Sequence, residues 1–377
     1  MSSDLIQPKY RQIYDLLRDA IESGRYLPGS RLPSEADLAN QHETSRITVA
    51  RAFQELHMKG YVERRVGDGT YVRSAEAQQE LSFGLLIPDL GRTEIFEPIC
   101  SGMAQTQRAS RHFSLVWGGS LGPHSASEIQ AENLCQRFLE LGVSGVFFAP
   151  FEITKARNEV NQRIVEAFDK AGIPVVLLDR DLEAYPRRSR YDLVGIDNRR
   201  AGYMLTQHLL EQGCTRIFFL ARPGSASTVD ARIMGYRDAL FQYGLQCSVD
   251  DVKSMDPGDK EAIATIMRHE KPQAIICAND VTAMRLMQSL AANAYTVPDD
   301  LLVASFDDVK HAELLVVPLT TIHQPCMEIG AEAIAAMLER VARPELPARD
   351  ILLDFSLVSR MSTARTNASS SRKKISR

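Results

Sequence analysis

The 377-residue sequence predicts an α/β multidomain protein in which an N-terminal winged helix-turn-helix precedes a two-lobed, doubly wound parallel α/β domain. Up to Val72 the pattern is that of short helices followed by a small hairpin. From Leu81 onward, short apolar runs alternate with amphipathic segments. This alternation is typical of parallel sheets covered by helices. About eight such units exceed one sheet of usual size, so two lobes are expected.

The helices of the first domain are predicted from apolar spacing and from capping residues. Residues 10–22 carry apolar side chains on one face and form the first helix. Ser34 can cap a second, short helix, with Asp37 completing a capping box. In the third helix, apolar residues recur from Val49 at the spacing of a buried face, so Thr48 and Arg51 point away from the core.

A small hairpin is predicted after the third helix. Runs 61–66 and 70–73 are joined by Gly67-Asp68-Gly69, where glycine permits the positive φ of a tight turn. Arg64 on this hairpin has two interpretations, a contact to DNA phosphate or a charge that protects an edge strand from pairing. Helices across a short turn, followed by a hairpin, form a helix-turn-helix with a wing.

These residues resemble the DNA-binding domain of the GntR family of bacterial transcription regulators. The motifs in order are Leu32-Pro33-Ser34-Glu35, Ser45-Arg46-Ile47-Thr48-Val49 and Gly67-x-Gly69-Thr70-Tyr71-Val72. The resemblance implies a recognition helix that reads double-stranded operator DNA. Ala50 stands where many members carry a basic residue. The candidate DNA-binding residues are Ser34, Ser45, Arg46, Thr48, Arg51, Arg64, Gly69 and Thr70.

Polar residues follow several predicted strands of the second domain, where an open α/β sheet binds its ligand. Carboxylates, amides and guanidinium groups suit vicinal hydroxyls, and an aromatic ring can supply an apolar wall. The candidate effector-binding residues are Asp89, Phe96, Asp179, Arg180, Arg232, Asn279, Asp307 and Gln324. Arg232 is expected to open a helix, and Asp280 and Asp308 are interpreted as helix caps.

Residues 81–360 resemble the effector domain of LacI-type regulators. The motifs include Gly195-Ile196-Asp197-Asn198, Arg232-x-x-Gly235-Tyr236 and Pro318-Leu319-Thr320-Thr321. The resemblance implies that the domain forms homodimers and binds a small-molecule effector through Asp179, Arg232, Asn279, Asp307 and Gln324. The headpiece of that family is replaced by a GntR-like one, a combination similar to AraR-type sugar repressors.

The predicted boundaries are 1–73 for the winged domain, 74–80 for a linker and 81–360 for the effector domain. Residues 361–377 are predicted to form a disordered basic tail, since they are polar and cationic.

Composition excludes several classes of protein. A net charge of −4 argues against a chain that coats nucleic acid indiscriminately. The six cysteines are scattered singly, which predicts reduced thiols and no metal site, and no cofactor motif occurs. The N-terminus lacks a cationic start and an apolar run, and no segment is long and apolar enough to span a bilayer, so we expect a cytoplasmic protein without membrane contact.

Two rival functions are weighed against regulation. Gly118-Gly119-Ser120-Leu121-Gly122 matches the G-x-S-x-G pattern of hydrolases, but Pro123 and further loop residues follow where a nucleophile elbow needs a helix. A transport-type sugar-binding protein would share the two lobes but not the winged domain. The prediction is therefore not an enzyme but a repressor, released from a pseudo-palindromic operator by a sugar. A hydrolase using Ser120 remains the alternative function, with a sugar phosphate or a nucleoside as alternative effectors.

Overall fold

The computed structural model describes residues 8–65, 68–72, 81–87, 95–110, 113–117, 127–152, 157–184 and 187–364. The chain divides into two compact units, Met1–Leu81 and Ser82–Arg377. The predicted linker, residues 74–80, lies outside the described residues. So do Gly67 of the wing turn, Asp89 of the predicted effector site and Ser120 of the hydrolase pattern.

The smaller unit is a winged helix-turn-helix, as predicted. Its elements are α1 (Lys9–Glu22), α2 (Glu35–Gln41), α3 (Arg46–Met58), β1 (Val62–Arg65) and β2 (Gly69–Val72). The two strands pair antiparallel, with Val62 opposite Val72. Strand β1 begins one residue later than predicted because the Tyr61 main-chain N–H donates to the Leu56 carbonyl oxygen and so belongs to the turn that ends α3. The core includes Leu17, Val49 and Phe53, which are almost fully buried.

Both predicted helix starts in this unit are made by serine caps. The Ser34 hydroxyl accepts the Asp37 main-chain N–H, and the Asp37 carboxylate accepts the Ser34 main-chain N–H, which confirms the capping box. At α3 the Ser45 hydroxyl accepts the Thr48 main-chain N–H at 3.2 Å. A cap of this kind fixes where each helix begins, because it satisfies first-turn N–H groups that have no partner within the helix.

The larger unit consists of two lobes, each built on one sheet. The first lobe contains β3 (Leu81–Leu86), β4 (Phe113–Trp117), β5 (Gly145–Phe148), β6 (Val175–Leu178), β7 (Asp192–Ile196) and β13 (Asp350–Leu353). Its helices include α4 (Phe96–Ser110), α5 (Ser127–Leu141) and α6 (Arg157–Lys170). The strand order is β13-β7-β6-β5-β3-β4. The neighbouring pairs β13–β7, β7–β6, β6–β5 and β5–β3 are parallel.

The second lobe contains β8 (Ile217–Ala221), β9 (Val252–Ser254), β10 (Ala274–Cys277), β11 (Leu302–Asp307), β12 (Thr320–His323) and β14 (Ser356–Val358). The remaining helices are α7 (Asn198–Glu211), α8 (Ser227–Gln242), α9 (Lys260–Thr265), α10 (Asp280–Ala292), α11 (Lys310–Leu314) and α12 (Cys326–Ala342). The strand order is β14-β12-β11-β10-β8-β9. Only the β12–β14 pair is antiparallel among the strand pairs described in this sheet.

The chain crosses between the lobes three times. Helix α7 follows β7 of the first lobe but packs on the sheet of the second, and α12 follows β12 of the second lobe but packs on the sheet of the first. The third crossing joins β13 to β14. Glycines allow these helices to approach their partners closely. A Cβ at Gly235 of α8 would lie 1.9 Å from the Arg199 carbonyl oxygen of α7, and one at Gly330 of α12 would lie 2.1 Å from the Ile99 carbonyl oxygen of α4.

The larger unit extends beyond its predicted end at residue 360. A short 3-10 helix spans Met361–Thr363, so these residues are not part of a disordered tail. The Ser362 hydroxyl donates to the Val303 carbonyl oxygen at 2.6 Å and accepts the Thr320 main-chain N–H. Polar residues are buried here because the ends of β11 and β12 supply their hydrogen-bond partners, which composition alone does not show.

All six cysteines are free thiols, and five of them are buried. Among the described residues, no helix has the length and apolar character needed to cross a membrane.

Candidate functional site

A cleft lies between the two lobes of the larger unit. The empty space in it, counted together with open solvent at its mouth, is about 790 Å³. The cleft brings together five predicted effector-binding residues, namely Asp179, Arg180, Arg232, Asn279 and Asp307. Other lining residues are Ile95, Glu152, Arg222, Ser225, Thr228, Val229, Val281, Thr282 and Val309.

On the side of the first lobe, Asp179 and Arg180 follow β6 directly, and both are buried. The Arg180 Nη1 lies 2.9 Å from the Glu152 Oε1, and its Nε lies 3.2 Å from the Asp179 Oδ2. Phe96 does not form the predicted wall of the cavity. It is buried behind Arg180, whose guanidinium lies 5.3 Å from the ring centre, and Ile95 lines the cavity instead.

On the side of the second lobe, Arg232 is locked in place by three groups. Its Nε donates to the Asn198 Oδ1 at 2.8 Å, its Nη1 donates to the Ala278 carbonyl oxygen at 2.7 Å, and its Nη2 lies 3.5 Å from the Asp307 Oδ1. Arg232 does not open its helix as predicted, because α8 begins at Ser227. The earlier start places the guanidinium one turn inside the helix, where α7 can support it.

Asp307 ends β11 and lies deep in the cleft. Burial raises the pKa of its carboxyl to about 8, although Arg232 opposes this shift. Its backbone has a φ of 112°, which is unusual for a residue other than glycine. Gln324 is buried and reaches the site only through Asp307, since its Nε2 donates to the Asp307 Oδ1 at 2.7 Å. Gln324 therefore orients a cleft carboxylate.

The two predicted helix caps have other roles. Asn279, not Asp280, caps α10, since the Asn279 Oδ1 accepts the Thr282 main-chain N–H at 2.9 Å. The Asp280 carboxylate is buried and accepts hydrogen bonds from Ser305, Thr321 and the Val309 main-chain N–H. Burial raises its pKa to about 6 against these bonds.

Asp308 is also not a cap. Its carboxylate pairs with Arg360 at 2.7 Å and lies 3.0 Å from the His323 ring. The expectation was wrong because the hydroxyl and guanidinium partners come from segments distant in sequence, and these provide the hydrogen bonds that a helix N-terminus would otherwise supply.

Sequence reasoning missed two charged residues of the cleft, Glu152 and Arg222. The Glu152 Oε2 accepts the Ala226 main-chain N–H, which belongs to the other lobe, at 3.1 Å. Burial alone would raise the pKa of Glu152, but Arg180 and this hydrogen bond outweigh burial and lower it. Arg222 follows β8 directly. Its position at a strand end is a signal that could have identified Arg222. Glu152 lacks that signal because it lies four residues past the end of β5.

The candidate DNA-binding residues lie on helix α3, on its cap and on the wing. Arg46 and Ile47 are exposed at the start of α3, and Ile47 is 83% exposed. The Thr48 Oγ1 lies 2.8 Å from the hydroxyl of Ser45, which is the cap residue. The Arg51 guanidinium lies 4.1 Å from the ring centre of Tyr10 on α1. Arg46 has no ion-pair partner among the described residues, so it is available for DNA.

On the wing, Arg64 is exposed and its guanidinium pairs with Glu35 of α2, an arrangement that is compatible with both of its predicted roles. Thr70 lies opposite Arg64 in the hairpin. Gly69 has a φ of 135°, and a Cβ there would lie 2.7 Å from the Arg31 Nε. Gly69 is thus required by its backbone conformation, whereas the flexible Arg31 side chain could move aside for a Cβ.

Comparison with known proteins matches each unit to a family. Residues 9–72 match the model described as bacterial regulatory proteins, gntR family. Residues 206–363 match the periplasmic binding protein-like domain. The chain thus combines a segment that matches the gntR model with one that matches the periplasmic binding protein-like domain. Its nearly full-length similarity to regulators, rather than to enzymes, supports the prediction that it is not a hydrolase.

This regulator is 26% identical over 369 residues to the arabinose metabolism transcriptional repressor of Geobacillus stearothermophilus, covering 94% of this chain and 98% of that protein. It is 28% identical over 295 residues to the ribose operon repressor of Escherichia coli (strain K12), covering 76% and 84% of the two chains. Its fold is similar to the structure of a transcriptional regulator CelR–cellobiose complex, with a TM-score of 0.64 and 22% identity over 94% of this chain and 100% of that one.

Proposed function

We propose that this regulator is a repressor that binds operator DNA as a homodimer and is released when a sugar binds between the lobes. One observation carries the proposal: carboxylates and guanidinium groups from both lobes line one cleft, in a chain that also holds a unit matched by the gntR model. The names of its relatives, which include repressors of arabinose metabolism and of a ribose operon, support the sugar. Repression of a bacterial promoter takes place in the cytoplasm.

The chemistry of the cleft suits a ligand with several hydroxyl groups. A hydroxyl can donate to the Asp179 or Asp307 carboxylate while it accepts from the Arg232 guanidinium. Arg232 is well prepared for this role, since Asn198 and the Ala278 carbonyl oxygen fix its orientation before a ligand arrives. A ligand that bridges both walls stabilises the closed arrangement of the lobes.

In the proposed complex, α3 enters the major groove and the wing contacts the backbone. Arg46 is the side chain we assign to base edges or phosphate, with Thr48 and Arg51 beside it on the same helix. Arg64, Gly69 and Thr70 form the part of the wing that approaches phosphate. Two copies related by a twofold axis would read the two halves of a pseudo-palindromic operator.

Release follows if the effector prefers the conformation whose two winged units are spaced wrongly for the operator. A ligand shifts such an equilibrium only by its difference in affinity for the two states. The proposed linkage therefore runs from cleft closure, through the dimer, to the distance between recognition helices.

The test is binding of the purified regulator to its own promoter DNA at a fixed, stated salt concentration, with and without a panel of monosaccharides. We expect Arg46→Ala to abolish specific binding while effector affinity is unchanged, because Arg46 lies in the other unit. We expect Arg232→Ala to bind the operator and to lose the response to the effector. The control variants are Arg25→Ala and Arg237→Ala, which remove exposed arginines of the two units.

Normal operator binding by Arg46→Ala would contradict the assignment of the recognition helix. Specific binding that no compound in the panel alters would contradict release by a sugar.

A further inference from the structure

Arg222 differs from the other two arginines that line the cleft. Arg180 pairs with Glu152 and Asp179, and Arg232 is held by Asn198, Ala278 and Asp307. Arg222 is half-buried and lines the same cavity, yet its guanidinium makes no hydrogen bond or ion pair with any residue in the described part of the chain. The cleft thus contains a cation whose five donors meet no acceptor within the described ranges.

The start of helix α8 adds further donors beside Arg222. The Ala226 side chain cannot cap this 16-residue helix, and the Ala226 main-chain N–H already donates to the Glu152 carboxylate. The main-chain N–H groups of Ser227 and Thr228 have no acceptor among the described residues. Ser225 and Thr228 line the cavity together with Arg222. A helix N-terminus carries a partial positive charge and commonly binds anions when its N–H groups are free.

An independent observation comes from the opposite wall. The Arg180 Nε is buried and has no hydrogen-bond partner in the described part of the chain, because its 3.2 Å approach to Asp179 does not have hydrogen-bond geometry. A buried donor without a partner is unfavourable. The Arg180 guanidinium therefore adds a buried positive charge to the first-lobe wall of the cleft.

The charges of the lining agree with this surplus of donors. Its charged residues are three arginines and three acidic residues, namely Arg180, Arg222, Arg232, Glu152, Asp179 and Asp307. Burial raises the pKa of Asp307, so this carboxyl holds its proton to a higher pH than an exposed aspartate does. When Asp307 is protonated, the lining carries a net positive charge, which a neutral ligand would leave uncompensated.

We propose that the effector is an acidic polyol, a sugar acid or a sugar phosphate, whose carboxylate or phosphate binds Arg222 at the N-terminus of α8. This inference rests on the proposed function, since it specifies the ligand of the same cleft. The hydroxyl groups of the ligand would then reach Arg232, Asp179 and Asp307, while the anionic group stays near the cleft mouth.

The test uses matched sets of probes, each with a neutral sugar, its aldonic acid and its terminal phosphate ester. Suitable sets begin from L-arabinose, D-ribose, D-glucose and D-galactose. Affinities for the full-length regulator are measured by titration calorimetry, and each probe is also added to the operator complex. We expect one acid or one phosphate ester to bind at least about tenfold tighter than its neutral sugar, as one charge-assisted contact would give. The preferred member tells a carboxylate from a phosphate.

Three variants assign the preference to Arg222. Arg222→Gln should remove the preference for the acid or phosphate ester over its neutral sugar, whereas Arg222→Lys should retain part of it. Arg237→Gln changes an exposed arginine of the same helix and should behave as wild type. Thermal unfolding of each variant confirms that it is folded.

The inference is overturned if no acid or phosphate ester binds tighter than its neutral sugar, or if Arg222→Gln leaves the preference unchanged. A neutral sugar that alone releases the operator would overturn it and leave the proposed function intact. Failure of the proposed function has a different signature, namely an operator complex that no probe dissociates or no specific complex at all.

Discussion

Asp307 links the protonation of the cleft to the stability of the fold. Its folded pKa of about 8 exceeds the value of about 4 expected in the unfolded chain. Between these values the native state holds a proton that the unfolded state releases. The contribution of Asp307 to the stability of the fold is therefore fully present at low pH and declines as the pH rises toward 8.

We expect Asp307→Asn to become progressively more stable relative to wild type as the pH rises from about 6 to about 8. Asparagine is neutral throughout and keeps an oxygen for the Gln324 amide. Thermal unfolding of both proteins across this range measures the difference. Asp250→Asn, at an exposed carboxylate of the same lobe, is the control. A difference that does not change with pH would show that Asp307 is ionised in the native state.

At the level of residues, the sequence predicted five of the fourteen residues that line the cleft but not the partners of its acidic side chains. Strand-end position predicted Asp179, Arg180, Asn279 and Asp307, because parallel strands end at a common edge. It could not show that Asn279 would cap α10 while Asp280 bonded to the neighbouring strands. Those partners are defined by tertiary contacts between residues far apart in sequence.

The elements most sensitive to a single substitution are the helices that contact each other at glycines. In the pair α7 and α8, a Cβ at Gly235 would overlap the main chain of Arg199 and lie 2.6 Å from the Tyr203 nitrogen. The two helices would have to move apart. Arg232 lies one turn before this glycine and hydrogen-bonds to Asn198 of the partner helix, so separation would also displace a cleft side chain.

Gly235→Ala should destabilise the larger unit by about 1–3 kcal/mol or more, as overpacking of a dense interior does. It should also weaken effector binding. Denaturant unfolding followed by titration with the effector measures both effects. The matched control is Gly258→Ala, since a Cβ there would meet Asp256 only at an ordinary distance of 3.4 Å. Equal behaviour of the two variants would mean that α7 and α8 can separate at little cost.

The elements that sequence reasoning missed are short strands at sheet edges. The strands β9, β13 and β14 have three or four residues and partly exposed patterns, and each is the outermost strand of its sheet. The central strands were predicted because they are continuous apolar runs buried on both faces. An edge strand lacks that signal, since one side faces solvent and its pairing depends on residues far along the chain.

For the whole molecule, the proposed coupling between cleft and operator has a quantitative consequence. If the effector weakens operator binding by some factor, operator DNA must weaken effector binding by the same factor. We expect titrations of the effector with and without saturating operator to give that ratio. The same titrations with Arg46→Ala should show no effect of DNA. Unequal factors would show that a third species, such as a dissociated monomer, takes part.

At this scale the sequence was most informative, since two ordered sets of motifs predicted both units and the comparisons confirm their families. The exact end of the larger unit could not be predicted. Met361–Thr363 lacks an apolar run, and it is held by hydrogen bonds between Ser362 and the main chain of Val303 and Thr320.

The three crossings between the lobes also determine which part of the fold is lost when the coding sequence is truncated near its end. The strands β13 and β14 complete the edges of different sheets and are translated after every other strand. A nonsense or frameshift mutation near the end of the coding sequence would therefore leave both lobes incomplete. The winged unit is translated first and is a compact unit of its own. Because the proposed operator complex needs a homodimer formed by the larger unit, such alleles should lose tight operator binding together with the response to an inducer.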